Sequence, residues 1–174
     1  VRYVWLTSGA GAWTNEEGAK HVAKKKAGVH NMELEKSIEV SGEPVTVVGK
    51  EEFLQKCVGK EINYYGIIRA TNIDQHIAAC VGVLNTTPVN FECVVDFIAD
   101  IGIITERVKS SLSWCYEAEK KDKSPSPISA SAAISRRDKP WIAVVAIAMI
   151  AEDRPVPDDL GYDKENLKMM QRFE

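Results

Sequence analysis

The run at residues 141–151, Trp-Ile-Ala-Val-Val-Ala-Ile-Ala-Met-Ile-Ala, constrains the fold more than any other stretch of the chain. It is apolar at every position, so a strand built from it has no polar face to turn to water. A membrane-spanning helix needs about 20 such residues, and this run falls far short. What remains is a strand covered by protein on both sides. Further strand-like runs lie at residues 3–6, 45–48, 62–70, 77–84 and 128–135. Residues 71–75 and 136–140 are short polar links between such runs, and each predicts an antiparallel hairpin.

Helical spacing alternates with these runs. Ala19, Val22, Ala23 and Ala27 recur on one face, opposite Lys20, Lys24 and Lys25. Thr14 and Glu17 have capping-box spacing at the start of this helix, and Gly28 stands where its end wants a positive φ. Residues 7–11 (Thr-Ser-Gly-Ala-Gly) read as a turn before it, since they fit neither the GxxxxGK[ST] nor the GxGxxG phosphate loop. An extended piece is expected around 32–40. A short helix is expected over 50–58, with Phe53, Leu54, Cys57 and Val58 on one face and Gly59 ending it. Residues 91–112 read as a longer helix, with a strand starting at Trp114-Cys115-Tyr116. Ser124-Pro125-Ser126-Pro127 is a loop, because neither a helix nor a central strand accepts that pattern. Taken alone, these periodicities support a mixed α and β domain.

A chain of 174 residues is long enough for one sizeable core. The expected division is a single domain over 1–151 and a polar tail over 152–174, in which Leu167, Met169, Met170 and Phe173 suit a docking helix. A net charge of −3 gives no reason to expect nucleic acid or a membrane as partner. Cys57, Cys80, Cys93 and Cys115 are widely spaced in apolar surroundings, which predicts buried free thiols rather than a metal or disulfide framework. No basic, signal-like segment opens the sequence at Val1, so a cytoplasmic location is expected.

Leu6-Thr7-Ser8-Gly9-Ala10-Gly11, the helix after it, and Ala27-Gly28-Val29-His30-Asn31 together resemble the pyruvoyl-dependent arginine decarboxylases, which open on Leu-Thr-x-Gly-x-Gly. The resemblance extends in outline to about residue 150, with a shortened middle. It implies an α+β fold, the four-layer αββα sandwich of the pyruvoyl-dependent arginine/histidine decarboxylase type, assembled as a homotrimer with its site between subunits. In that family a serine pair self-cleaves: the hydroxyl attacks the preceding carbonyl, and the resulting ester eliminates to leave a pyruvoyl ketone, the electron sink of the reaction. Here Ile38-Glu39 stands where the pair belongs, and glutamate has no β-hydroxyl. The nearest hydroxyl is Ser37, after Lys36.

The resemblance therefore implies an unprocessed relative without a cofactor, which binds or transforms a small amine or guanidino compound. Its rivals are an active decarboxylase cleaved at Ser37, with a pyruvoyl group, and a non-catalytic partner subunit of an active paralogue. Glu39 then either faces the old cleft as a cation-binding carboxylate or is an exposed residue. His21 falls where the family carries an aspartate that contacts the basic end of its substrate, and Asn31 and Glu33 fall where it has asparagines near the cofactor. Asn31 reads equally as a turn residue, and His21 as a surface histidine. Glu92 is the match for the family's acidic proton donor, and it also reads as a plain helix-start glutamate. Ser110-Ser111 is a serine pair in the wrong segment, and His76 has no Ser–Asp pattern near it in sequence.

Overall fold

A computed structural model of the chain describes residues 2–32 and 44–153. The elements are β1 (Arg2–Trp13), α1 (Glu16–Ala27), β2 (Val45–Val47), α2 (Lys50–Lys56), β3 (Glu61–Thr71), β4 (His76–Leu84), β5 (Asn90–Asp96), α3 (Ile101–Lys120), β6 (Ile128–Ser135) and β7 (Trp141–Glu152). One sheet has the order β2-β1-β7-β3, the other β5-β4-β6. The first is mixed, since β2 runs parallel to β1 while β7 is antiparallel to both its neighbours; the second is antiparallel.

Three apolar clusters set the layers. Val4, Ile77, Ala79, Val81, Val83, Ile142, Val144, Ala146 and Ala148 fill the space between the sheets. Trp5, Ala19, Ala23, Ala27, Phe53, Val145, Ile147 and Met149 join α1 and α2 to the outer face of the first sheet. Ala78, Cys80, Leu84, Ile104, Val108 and Leu112 join α3 to the outer face of the second. The protein is thus α+β, with helices outside two face-packed sheets. The doubly apolar run becomes β7, the inner strand between β1 and β3, and every residue from Ile142 to Ala151 is 0% exposed. At about 1.5–3 kcal/mol for each fully buried aliphatic side chain, this strand anchors both cores at once.

Several expectations give way. The Thr7–Gly11 stretch is no turn: β1 runs straight through it, in register with β7 from Tyr3↔Ala151 to Trp13↔Trp141. Thr7, Gly9 and Gly11 lie on the face turned to α1. Thr7 Oγ1 donates to the Ala27 carbonyl at 2.6 Å. A Cβ on Gly9 would stand 2.6 Å from the Ala27 nitrogen, and one on Gly11 2.7 Å from the Ala23 nitrogen. The two glycines let the helix backbone lie directly on the strand. Asn15, not Thr14, caps α1, its side chain accepting from the Gly18 nitrogen at 2.7 Å. Gly28 does end the helix, at φ 81°.

Neither hairpin forms. β3 and β4 lie in different sheets, as do β6 and β7, so residues 72–75 and 136–140 carry the chain over one end of the sandwich. Arg136 ties the two links together, its backbone nitrogen donating to the Gln75 carbonyl and its guanidinium to the Asp74 carbonyl, both at 2.7 Å. Sheet exchange wins because β4 and β7 are both apolar on two faces, and each needs the centre of a sheet.

The segment read as one long helix divides in two. Phe91, Cys93 and Val95 point into the inter-sheet core while Val94 meets α3, the alternation of strand β5. Asp96 then accepts from the Ile98 and Ala99 nitrogens at 2.7 Å, and Asp100 caps α3 through the Ile103 nitrogen at 2.9 Å. Trp114, Cys115 and Tyr116 belong to α3 and start no strand. α2 ends at Lys56, short of the expected Gly59; in it Phe53 docks against Trp5 with ring centroids 5.9 Å apart, whereas Leu54, and Val58 beyond the helix, are exposed. All four cysteines are free thiols, but only Cys80 is buried: Cys57 and Cys93 are half-buried and Cys115 is exposed.

Candidate functional site

Glu92 is the one expected catalytic residue whose surroundings can be read. It is no helix-start glutamate but lies in β5, the edge strand of the second sheet, on the face turned to α3. Strand alternation puts it there, because Phe91 and Cys93 on either side take the core face. Ser111 of α3 donates its hydroxyl to Glu92 Oε1 at 3.0 Å. The second serine of the Ser110-Ser111 pair thus serves as a partner of the carboxylate. No cation pairs with Glu92 among the described residues.

Beside it, the edge strand β3 of the first sheet meets β5. The Tyr65 and Phe91 rings pack edge to face with centroids 5.7 Å apart, and the Tyr65 hydroxyl lies near the Cys93 thiol. Burial first, and then the neighbouring Cys93 thiol, push the Tyr65 hydroxyl well above its ordinary range. Burial also pushes the Cys93 thiol up, although Tyr65 partly opposes this. The negative charge of Glu92 acts in the same upward direction on both. Both groups therefore stay neutral at ordinary pH. Such an arrangement can hold a cation or pass a proton, provided a ligand reaches the strand edge.

His21 and Asn31 are elsewhere. His21 is exposed on α1, and its ring makes an edge contact with His30 at 6.4 Å; Asn31 is an exposed turn residue just beyond. They occupy the helical layer on the first sheet, while Glu92 lies under α3 on the second, with both sheets between. One copy of the chain does not bring these residues together. Ser37, Glu33 and Glu39, with most of the extended piece expected at 32–40, lie outside the described residues, as does the tail beyond Asp153.

Tyr65 left no signal in the sequence because a tyrosine inside an apolar strand reads as core, while Cys93 read only as a thiol and Ser111 only as half of a serine pair. Among the described residues, no group of three or more His, Cys, Asp or Glu side chains is placed to hold a metal. No helix among them is long and apolar enough to cross a membrane. No protein-family model matches the chain, and a search of curated proteins finds no match.

Proposed function

We propose that the chain is a divergent, unprocessed relative of the pyruvoyl-dependent arginine decarboxylases, built on their αββα sandwich and assembled as a trimer. It holds a small amine or guanidino compound in a cleft between two copies. The observation that carries this reading is the half-buried Glu92 carboxylate on an edge strand, with a hydroxyl and no cation as its side-chain partner among the described residues. A carboxylate so placed gains most from an arriving cation. The split between Glu92 and the layer bearing His21 and Asn31 also favours a cleft shared by copies, since one chain keeps the two groups on opposite sides. Thr7, Gly9 and Gly11 support the relationship by giving the opening motif a physical task, the seating of α1 on β1.

Calorimetric titration with agmatine and arginine tests the pocket. A charge-assisted hydrogen bond is worth about 1.5–3 kcal/mol, so Glu92→Gln should weaken binding by roughly ten- to a hundredfold. Wild-type protein that binds neither compound, or binds both as well as the variant does, refutes the reading. Denaturing mass spectrometry separates it from the active-decarboxylase rival: an uncut chain is expected, and fragments split between Lys36 and Ser37 would restore the pyruvoyl enzyme.

A further inference from the structure

At the end where the chain crosses between sheets, His76 begins β4 and Ser135 ends β6, directly opposite each other in the strand register. His76 Nδ1 lies 2.9 Å from Ser135 Oγ, and His76 Nε2 lies 2.8 Å from the Ala99 carbonyl oxygen. A carbonyl only accepts, so Nε2 must carry its proton. In the neutral ring Nδ1 is then the bare nitrogen, and the Ser135 hydroxyl is the donor. The tautomer is fixed by backbone, and it points the imidazole lone pair at a serine.

Ser135 also lines a cavity of about 390 Å³, together with Ala12, Ala133, Ile134, Arg137 and Asp138. That volume lies within the range of small-molecule pockets. Its lining combines three apolar residues with a hydroxyl, a guanidinium and a carboxylate. Arg136 joins the two crossing links, which holds the loop bearing Arg137 against the start of β4.

We propose that Ser135 and His76 form a nucleophilic pair that hydrolyses small acyl esters bound in this cavity. In the first half-reaction Ser135 Oγ bonds to the ester carbonyl carbon, its proton passes to His76 Nδ1, and the carbonyl electron pair moves onto oxygen. Arg137 supplies the cation for that oxyanion. The Ala99 carbonyl accepts from Nε2 throughout and stabilises the imidazolium. The C–O bond to the alcohol then breaks, and the leaving oxygen takes the proton from Nδ1. In the second half-reaction water repeats the attack on the acyl-serine, giving its proton to Nδ1. Collapse releases the carboxylic acid and returns that proton to Ser135.

An alkyl fluorophosphonate followed by intact-mass and peptide analysis tests the nucleophile, and p-nitrophenyl acetate tests turnover, both on the full chain. One phosphonyl adduct per chain on Ser135 is expected, with Ser135→Ala abolishing both adduct and ester hydrolysis. A general base contributes about 10²–10⁴-fold, so His76→Gln should slow labelling by at least about a hundredfold. Labelling no faster than at an exposed serine such as Ser126 overturns the proposal. So does labelling of His76→Gln at the wild-type rate. If His76→Gln fails to fold, Ser135→Cys decides: its new thiol should be alkylated by iodoacetamide at least tenfold faster than Cys115, which is exposed in the same molecule. Equal rates overturn the pair.

Discussion

Placing a methyl group on Gly9 tests the packing of α1 on the first sheet. A Cβ there would stand 2.6 Å from the Ala27 nitrogen, closer still to the Ala23 carbonyl, and 3.1 Å from the Lys26 carbonyl carbon. Ordinary contact begins at 3.4 Å, and all three neighbours are backbone, so no side chain can swing away. In Gly9→Ala the helix must lift by most of an ångström. Overpacking of this kind costs about 1–3 kcal/mol. Lifting also stretches the Thr7–Ala27 bond, which is worth about 0.5–1.5 kcal/mol. Replacing a strand glycine by alanine returns about 0.5–1 kcal/mol, so the net loss should be about 1–3.5 kcal/mol. For a chain of this size that lowers Tm by roughly 2–14 °C. Urea denaturation followed by circular dichroism should show a lower midpoint at unchanged slope. Thr7→Val isolates the hydrogen bond and should lose about 1 kcal/mol. Gly49→Ser is the control: nothing lies within 4 Å of a Cβ there, and a serine at this helix start should shift stability by a few tenths of a kcal/mol at most. If Gly9→Ala matches wild type within about 0.5 kcal/mol, the helix does not lie on the strand as argued.

Phe53→Ala should cost about 3–5 kcal/mol in the same denaturation assay, because Phe53 is 0% exposed and is the buried anchor of α2. In thiol titration with Ellman's reagent, exposed Cys115 should react first. Cys80, fully buried and with its thiol pushed up by burial, should react only as fast as the chain opens. The Asp96 carboxyl is pushed down to about 2, first by the Ala99 N–H and then by Arg107 and the Ile98 N–H. Its folded value is depressed, so its contribution is present above the unfolded value near 3.8 and disappears as pH falls toward 2. Asp96→Asn should therefore flatten the acid side of the stability curve between about pH 4 and pH 2, and an unchanged acid limb would show that the loop does not hold this carboxylate.

The layers were legible where hydrophobicity had one meaning. The run in β7 admits water on neither face, and from that alone a strand inside two layers follows. The small residues Ala19, Ala23 and Ala27 likewise announced a helix, and the structure adds that they are small because the helix lies directly on Gly9 and Gly11. Connections were not legible. A short polar link between two β-type runs serves a hairpin and a sheet-to-sheet crossing equally well. What decides between them is the competition of β4 and β7 for central places, a property of the whole fold. The segment around Val94 failed for a related reason: Val94, Ile98 and Ile101 have helical spacing, but Phe91, Cys93 and Val95 alternate, and core burial on that alternating face prevails.

Chemistry was legible only where residues adjoin in sequence. His76 has no serine near it along the chain, and Ser135 is one small polar residue at the end of a Ser/Ala-rich strand. They meet because β4 and β6 pair antiparallel with His76 opposite Ser135, a register set by the apolar faces of both strands. The third member, the Ala99 carbonyl, is backbone and leaves no trace in any side-chain pattern. The same rule explains Glu92. A half-helical pattern hid its strand, and only strand alternation turns it toward Ser111 rather than into the core beside Tyr65. In both places a functional group is presented by the face opposite the one that packing selects. A substitution that slipped β5 by one residue would therefore bury Glu92 and expose Cys93 together, coupling loss of the carboxylate site to loss of the inter-sheet core.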